Sequence, residues 1–276
     1  MPYPDFSRSI AEICAYLSRT LYNGLDQWKD AGEPDEDSGH PVLTPKLDPA
    51  LGISKSSPFL FRESWAHRRK PGPRNRYEEV IEYSPGAIVA QGEDGTVYVA
   101  HRGTKDSKDW DVDAQIVPIT LEVDGNDLGK IHNGFHRSYF SYESKIKAAL
   151  VDLLQSTGIP PTAVIFSGHS LGGALSTINA RVFNPSEWGF PDDIAYGALT
   201  FGSPQPGIQS FKDAFPDAHQ RLRHIINNND VVPKLPGAIG YCHVGEILTL
   251  QEDLGGLGAN HSLDEYAEKI DEVFLA

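Results

Sequence analysis

The spacing of apolar residues divides the chain into segments of different character. Between about residues 7 and 23 they recur every three or four positions, and Ser9 with Glu12 matches a capping box, so this spacing predicts an amphipathic helix that covers a core. Residues 24–76 are rich in proline, glycine and charge, which predicts a long irregular connection on the surface. Within it, residues 57–65 are apolar enough to pack down.

From residue 78 onward, short apolar runs alternate first with turns and then with helical patterns. The predicted strands cover residues 80–83, 87–91, 96–101, 117–123, 129–132, 163–167, 196–201 and 222–227, with a hairpin-like region at 241–250. The predicted helices cover residues 138–156, 171–183 and 263–274. A Ser-Pro-Gly turn at 84–86 separates the first two strands. Strands that alternate with helices predict a mostly parallel central sheet flanked by helices, in a single α/β domain over residues 1–276.

Composition narrows the possible partners. The 276 residues carry a formal net charge of −14, and the resulting negative surface field disfavours nucleic acids and anionic membranes. No apolar run approaches the roughly 18 residues of a transmembrane helix. Asp5 and Glu12 interrupt the N-terminal pattern, so no signal peptide is expected; the protein is expected to be soluble, either cytoplasmic or secreted with its leader removed. Cys14 and Cys242 allow one bridge or two separate thiols.

Metal-ligand patterns are weak in this sequence. His132 and His136 are four residues apart, but no helix is expected to bring them to one face. The alternating Asp109, Asp111 and Asp113 lack the glycine that a calcium loop places after its third acidic residue. No metal or cofactor is therefore expected.

The segment Gly168-His169-Ser170-Leu171-Gly172 fits the pattern G-x-S-x-G between a predicted strand and a predicted helix. In that setting the serine lies on a tight, strained turn, and its hydroxyl is exposed at the end of the sheet as a nucleophile. The following helix would favour the anion that forms on attack, through its free amides and its dipole. The alternative is a glycine-rich turn with a serine that caps the helix.

A serine nucleophile requires a base, and in this setting an acid and then a histidine follow the serine along the chain. Asp230 directly follows a predicted strand, so it can reach the site from the carboxyl edge of the sheet. Its alternative is a turn residue. The other downstream acids lie in a polar loop or on a predicted surface helix: Asp192, Asp193, Asp213 and Asp217.

Two histidines follow Asp230. His261 lies in a loop just before a helix and is the better placed general base, whereas His243 lies in an apolar stretch and can be a packed strand residue. Four earlier histidines do not fit the chain order: His101, His132, His136 and His169.

These segments together resemble the class 3 lipase family, the filamentous-fungal triacylglycerol lipase type, which also includes feruloyl esterases and phospholipase A1 enzymes. The matching segments are His101-Arg102-Gly103-Thr104, Lys108-Asp109-Trp110 with Asp113, residues 131–135, residues 168–175, Phe201-Gly202-Ser203-Pro204 with Pro206-Gly207, residues 229–233 with Leu235-Pro236, and His261 with Leu263 and Tyr266. They follow the family order over roughly residues 78–270, and residues 24–76 match nothing in the family pattern.

The resemblance implies an α/β-hydrolase fold and a catalytic triad in which Ser170 is the nucleophile, Asp230 the orienting acid and His261, rather than His243, the base. It also implies an oxyanion hole formed by the amides of Leu171 and Thr104.

The resemblance further implies that residues 105–115 form a short lid, with Trp110 and Val112 as its apolar residues. Charged residues dominate this segment, which argues against strong interfacial activation.

The implied activity is hydrolysis of acylglycerols or related fatty-acid esters through an acyl-enzyme. The expected partner is an ester or lipid substrate, which can lie at a lipid–water interface. The alternatives are a phospholipase A1 or a feruloyl esterase that uses the same triad. A lipid-binding scaffold without catalysis is disfavoured, because all three triad residues are present. A monomer is the default expectation.

Overall fold

A mixed sheet of eight strands organises the part of the chain that the structure describes. The computed structural model describes residues 2–33, 44–69, 77–104, 117–237, 240–251, 253 and 255–274. The strands of the large sheet are β1 (Ile53–Ser56), β2 (Leu60–Arg69), β3 (Tyr77–Gly92), β4 (Thr96–His101), β7 (Ala163–His169), β8 (Ala195–Phe201), β10 (Leu222–Asn227) and β12 (Glu246–Leu250). A smaller sheet contains β5 (Pro118–Val123), β6 (Asn126–His132), β9 (Gly207–Ile208) and β11 (Tyr241–Cys242).

The helices of the described residues vary widely in length. They are α1 (Arg8–Asp30), α2 (Asn133–Phe140), α3 (Glu143–Thr157), α4 (Leu171–Val182), α5 (Gln209–Asp213), α6 (Ala218–Arg221), α7 (Leu257–Asn260), α8 (Leu263–Glu268) and α9 (Ile270–Phe274). Within the described ranges, no helix is both long and apolar enough to cross a bilayer.

The strand order of the large sheet is β1–β3–β4–β7–β8–β10–β12, with β2 also paired to β3. The pairs β1–β3, β2–β3 and β3–β4 are antiparallel, and every pair from β4 to β12 is parallel. The predicted mostly parallel central sheet is therefore confirmed. Since the five parallel strands run in one direction, their carboxyl ends and the loops that follow them meet at one edge, where ligands bind in open α/β sheets.

Helices bury both faces of this sheet. Within β7, Val164 and Phe166 belong to one hydrophobic cluster together with the inner side of α4, whereas Ile165 belongs to the cluster on the opposite face. The second cluster includes Ala11, Cys14, Leu17 and Leu21 of α1, and also residues of α8 and α9. Continuous apolar runs such as Ala163–Phe166 arise because alternate side chains of a strand point to two buried faces.

The predicted N-terminal helix exists, but its bounds differ. α1 extends to Asp30, seven residues past the predicted end, and its N-cap is Ser7, whose hydroxyl oxygen accepts from Ile10 N at 3.4 Å. The predicted capping box at Ser9 and Glu12 is therefore wrong, because both residues lie inside the helix.

The prediction of an irregular connection over residues 24–76 is also wrong for most of the described part. This region holds the end of α1, a 3-10 turn at Pro49–Leu51, β1 and β2. β1 and β2 follow one another along the same edge of β3, with nearly continuous register from Ile53 opposite Gly92 to Arg69 opposite Tyr77. An edge strand is fixed by the backbone groups of its neighbour, so the polar sequence Ile53–Ser56 carries no apolar alternation that could have indicated it.

The predicted turn at Ser84-Pro85-Gly86 does not separate two strands, because β3 runs through it. The pairing with β2 shifts by one residue opposite this tripeptide, between Leu60 and Phe61, so an irregularity in the ladder accommodates the proline. The glycine is needed for close approach: a Cβ on Gly86 would lie 2.6 Å from Cγ of Arg62. Gly86 O also accepts from Arg102 N at 2.8 Å, which attaches β3 to the loop after β4.

Three further predictions require correction. The helix predicted over 138–156 is divided into α2 and α3 around Tyr142, whose buried hydroxyl bonds to Nδ1 of His101 at 2.6 Å. The helix predicted over 263–274 is divided at Lys269 into α8 and α9. The region 241–250 is not a hairpin, because β11 pairs with β9 in the small sheet, whereas β12 pairs in parallel with β10. Cys14 and Cys242 are both free thiols.

Candidate active site

Ser170 occupies a strained turn between β7 and α4. Its backbone angles are φ 58° and ψ −133°, and a positive φ at a non-glycine residue costs roughly 1–3 kcal/mol and persists only where the surroundings enforce it. The backbone enforces it here, since Ser170 N donates to Phe201 O at the end of β8 at 2.9 Å. Ser170 holds the N-cap position of α4, but its hydroxyl makes no capping hydrogen bond, so the alternative of a capping serine is not supported.

Gly172 allows the turn to pack against the end of β4. A Cβ at this position would lie 2.1 Å from the carbonyl oxygen of His101, a backbone atom that cannot swing aside. Gly168 has a similar role, because its Cβ would lie 2.4 Å from the carbonyl carbon of Gly172. The glycines of the motif therefore provide close backbone approach, which brings the loop after β4 beside the serine.

Substituting Gly172→Ala is expected to lower the free energy of unfolding by about 3 kcal/mol or more, since overpacking a rigid site typically costs about 1–3 kcal/mol. Gly258→Ala is the matched control, because nothing lies within 4 Å of its added Cβ and its φ is not positive. Urea unfolding of both variants measures the difference. Equal stability of the two variants would contradict the packing described here.

The buried Asp230 and the partly buried His261 form a pair at the same edge of the sheet. Asp230 follows β10 and is fully buried, and its Oδ2 lies 2.6 Å from Nδ1 of His261. Oδ2 also accepts from the hydroxyl of Tyr266 at 2.8 Å, and Oδ1 accepts from the amide of Val232 at 2.9 Å. These donors compensate the carboxylate for lost hydration, as a buried charge requires.

The contact with Asp230 determines which nitrogen of His261 can act as a base. A carboxylate accepts, so Nδ1 carries the hydrogen, and the lone pair is left on Nε2. Nε2 is buried and has no hydrogen-bond partner among the described residues, so Ser170 is not yet hydrogen-bonded to it. The loop of His261 is nevertheless attached to the serine turn, because Nε2 of His169 lies 2.9 Å from the carbonyl oxygen of His261.

The loop after β4 lies directly beside Ser170. A Cβ on Gly103 would lie 3.0 Å from Cβ of Ser170, and the next residue is the half-buried Thr104. Arg62 holds this loop, since its Nη1 donates to Arg102 O at 2.6 Å and its Nη2 to Gly103 O at 3.3 Å. Leu171, on the other side of the serine, is the first residue of α4, where helix amides lack partners within the helix.

Two buried arginines make the surroundings of this loop electropositive. Arg62 and Arg102 are buried beside one another, and burial together with the Arg62 cation lowers the pKa of Arg102 to about 9. Arg102 donates from Nε to Pro85 O at 2.5 Å and from Nη2 to the Ser84 hydroxyl at 2.9 Å. Neutral backbone and hydroxyl oxygens accept from both guanidinium groups in these contacts and cancel no charge. The Asp26 carboxylate offsets part of the positive potential of this pair.

The structure does not place every predicted residue at this site. His243 donates from Nε2 to Pro233 O at 2.8 Å and packs against His224, with ring centroids 5.4 Å apart, and has no bond to Asp230. Trp110, Val112 and the whole predicted lid, residues 105–115, lie outside the described residues, as do the three alternating aspartates. In the described part of the chain, no three His, Cys, Asp or Glu side chains gather as metal ligands do.

The sequence-based interpretation missed three residues around the site. The family resemblance includes Tyr266 without giving it a role, and in the structure its hydroxyl, five residues after the base, donates to Asp230. Arg62 lies in the segment predicted to be irregular, where nothing indicated a buried cation. Tyr22 lies on α1, and its hydroxyl bonds to His169 across 147 positions of sequence, a contact that helical periodicity alone does not reveal.

Buried neutral histidines make the fold sensitive to acid. Burial lowers the pKa of His101 to about 3 and that of His224 to about 3 as well, whereas an unfolded histidine titrates near about 6.5. Between these values the unfolded chain binds more protons than the native protein, so stability is retained above about pH 6.5 and is lost progressively towards about pH 3.

Urea titrations at about pH 7 and about pH 5 should therefore give a lower free energy of unfolding at the acidic pH. His101→Gln removes one titrating group and should reduce this pH dependence, although the variant itself is less stable. A free energy of unfolding that stays constant between the two pH values would contradict the neutral burial of these histidines.

Comparison with known protein families identifies the family of this chain. The sequence profile described as lipase (class 3) matches residues 98–239, just over half of the chain. The chain belongs to the class 3 lipase family. The family match includes Ser170 and Asp230, whereas α1, β2 and the loop of His261 lie outside it.

Individual class 3 lipase relatives are similar over part of their length. A lipase from Rhizomucor miehei is 32% identical over 167 residues, which are 59% of this chain and 44% of that protein. Phospholipase A1-II 5 from Oryza sativa subsp. indica is 29% identical over 218 residues, 70% of this chain and 45% of that protein. The chain thus spans less than half the length of these two relatives.

Solved structures extend the similarity of fold to nearly the whole chain. The Rhizomucor miehei lipase in its native propeptide complex matches with a TM-score of 0.59 at 23% identity, covering 91% of this chain and 73% of that one. A lipase from Rhizopus microsporus var. chinensis matches with a TM-score of 0.58 at 20% identity, covering 91% and 77%. The structural similarity confirms the predicted α/β-hydrolase fold class. At identities this low, it supports the fold and nothing further.

Proposed function

We propose that the protein is a serine carboxylester hydrolase in which Ser170, His261 and Asp230 form the catalytic triad. One observation carries this proposal. The contact between Asp230 and Nδ1 of His261 leaves the lone pair of Nε2 without a hydrogen-bond donor among the described residues. The loop that carries His261 is attached to the strained turn of Ser170.

In the proposed reaction, the Ser170 hydroxyl attacks the ester carbonyl carbon while Nε2 of His261 takes its proton. Asp230 stabilises the imidazolium that forms and holds the ring in the required tautomer. A small movement of either side chain is required, because Nε2 of His261 is not hydrogen-bonded to Ser170 in this structure. Catalytic hydrogen bonds are often formed only when the substrate is bound. His261 then protonates the leaving alcohol, and a water molecule, deprotonated by His261, hydrolyses the acyl-enzyme.

The amides of Leu171 and Thr104 are proposed to bind the oxyanion of the tetrahedral intermediate. Leu171 supplies a helix N-terminal amide, and Thr104 follows Gly103 directly beside the serine. The buried Arg62 and Arg102 add a favourable potential for the developing negative charge. Residues 105–115 continue from Thr104, so we assign to them, with Trp110 and Val112, the cover of the acyl site.

The substrate class proposed is an acylglycerol or a related fatty-acid ester, supported by the similarity to the lipase of Rhizomucor miehei. A second candidate is phospholipase A1 activity, since several relatives from Oryza sativa carry that name. Both use the same chemistry at Ser170 and differ in the group that the pocket accepts.

A fluorophosphonate probe tests the reaction class. Such a probe traps an activated serine, so it should form one covalent adduct, which peptide mass spectrometry should locate on Ser170. An unlabelled protein, or an adduct on another residue, would contradict the proposal.

Hydrolysis of a graded series of acyl esters, below and above their solubility limit, tests the substrate class and the cover together. Phosphatidylcholine with different chains at its two positions tests the second candidate, which predicts release of the sn-1 chain. Activity on triacylglycerols without any on this phospholipid would leave the first candidate alone.

A further inference from the structure

His169 connects the serine turn to the loop of the base and to the N-terminal helix. Its side chain is buried beside Ser170, and both ring nitrogens are engaged. Nδ1 lies 2.9 Å from the hydroxyl of Tyr22 on α1, and Nε2 lies 2.9 Å from the backbone carbonyl oxygen of His261. The two imidazole rings are in contact, with centroids 4.6 Å apart and planes tilted by 33°.

We propose that Tyr22 and His169 are positioning residues for ester hydrolysis: the Tyr22 hydroxyl holds the His169 ring in place through Nδ1, and His169 holds the His261 loop against the serine turn. This inference rests on the proposed function, since it concerns the placement of the proposed base. Neither residue touches the reacting atoms.

The chemistry of the partners defines the tautomer. A carbonyl oxygen can only accept, so Nε2 of His169 must donate to His261 O. In a neutral ring Nδ1 then accepts, and the Tyr22 hydroxyl is its donor. The opposite tautomer would place two acceptors, Nε2 and the carbonyl oxygen, against one another. The carbonyl oxygen of His261 therefore sets this tautomer. The Tyr22 hydroxyl, which can donate or accept, supplies the donor that Nδ1 needs in it and so holds the ring in place.

A neutral His169 also suits the charge that forms next to it. His261 becomes an imidazolium during the proposed reaction, and a second cation in contact with it would oppose this step. The groups that face His169 are Tyr22, His261 and Tyr266, none of which is a carboxylate. Burial first, and then the neighbouring His261, lower the pKa of His169 well below its usual range.

The same tyrosine hydroxyl reaches the other half of the site. A Cβ on Gly103 would lie 2.3 Å from the Tyr22 oxygen, so the hydroxyl packs directly against the segment that leads to Thr104. One group on α1 thus contacts the proposed oxyanion loop and, through His169, the loop of the base. Loss of this hydroxyl should disturb the alignment of the reacting groups more than the binding of substrate.

Tyr22→Phe tests the proposal with little change of shape. We expect kcat for a soluble nitrophenyl ester to fall roughly threefold to tenfold, the range for one hydrogen bond, while KM changes by less than about twofold. Tyr16→Phe is the control, because Tyr16 lies on the same helix and its hydroxyl bonds to Lys46 O and Asp48 N, outside the site. Its kcat should equal that of the unsubstituted protein. A Tyr22→Phe variant with unchanged kcat, or with a change in KM alone, would overturn the proposal.

A double-mutant cycle and a spectroscopic measurement separate positioning from general stability. If Tyr22 acts through His169, Tyr22→Phe should add little further loss of kcat in the background of His169→Phe. Independent, additive losses would contradict that connection. Nitrogen-15 NMR of the histidine rings should show His169 protonated at Nε2 in both proteins, with the Nδ1 resonance shifted in Tyr22→Phe because that nitrogen loses its hydrogen-bond donor.

The NMR result does not depend on turnover, so it keeps the two proposals distinguishable. If fluorophosphonate fails to label Ser170 while the Nδ1 resonance of His169 still responds to Tyr22, the proposed function fails and the contact survives only as a structural one. If labelling succeeds but the Nδ1 resonance is the same in both proteins, the positioning role fails alone.

Discussion

Ser170→Ala is expected to reduce kcat for a soluble nitrophenyl ester by a factor on the order of 10⁵ to 10⁶, the loss found when a triad nucleophile is removed from a serine hydrolase. The reason is that no other hydroxyl of the turn is placed to form the acyl-enzyme. Stability should change little, because alanine meets the same backbone angles that serine meets at φ 58°. Rates measured on purified protein, together with thermal unfolding, test both expectations.

The matched control for this variant is Ser176→Ala. Ser176 is also buried on α4, but its hydroxyl donates to Gly172 O within the helix at 2.8 Å and takes no part in the site. It should keep full activity with a small loss of stability. Hydrolysis by Ser170→Ala at more than a tenth of the normal rate would remove this serine from the mechanism.

Asp230→Asn is expected to lower kcat on the order of 10⁴-fold, the loss that the corresponding change causes in a serine protease triad. An amide nitrogen that faces Nδ1 of His261 would require that atom to accept, which moves the hydrogen to Nε2 and removes the lone pair of the base. The variant also loses the charge that stabilises the imidazolium. The rate of fluorophosphonate labelling should fall in parallel with kcat, because both require the activated serine.

Asp217→Asn is the control for removing a carboxylate. Asp217 pairs with Arg221 on α6 at 2.5 Å and lies away from the site residues, so this substitution should affect stability alone. If Asp230→Asn retained activity within tenfold of the unsubstituted protein, the proposed tautomer of His261 could not be the one that reacts.

The core of the site could be predicted because its residues follow local patterns. A glycine-flanked serine between a strand and a helix is visible in the sequence, and Asp230 directly follows a strand of the sheet. His261 was preferred over His243 as a loop residue, and the structure brings it to 2.6 Å from Asp230. Parallel strands then collect these separate loops at one edge, which is a property of the fold and not of any one segment.

The residues that support the site could not be predicted, because no local pattern marks them. Arg62, Tyr22 and Tyr142 act through contacts with elements far away in sequence, and their own neighbourhoods carry no matching pattern. The sequence does not indicate β1 and β2, because an edge strand is defined by the strand beside it. Pro85 predicts a turn, whereas in the structure the strand continues and only its register shifts. Tertiary pairing overrode local propensity in these segments.

The packing of α1 has a consequence for how the chain folds. This early helix covers its apolar side against β3, β4, β7 and β8 and against α8 and α9, and Arg8 is paired with Asp271 at 2.6 Å. The apolar side of α1 therefore stays exposed during folding until elements from much later in the sequence, such as β8 and α8, pack against it. Contacts between such distant parts of a sequence slow folding and leave intermediates prone to aggregation. Refolding at low protein concentration should accordingly recover more native protein than refolding at high concentration.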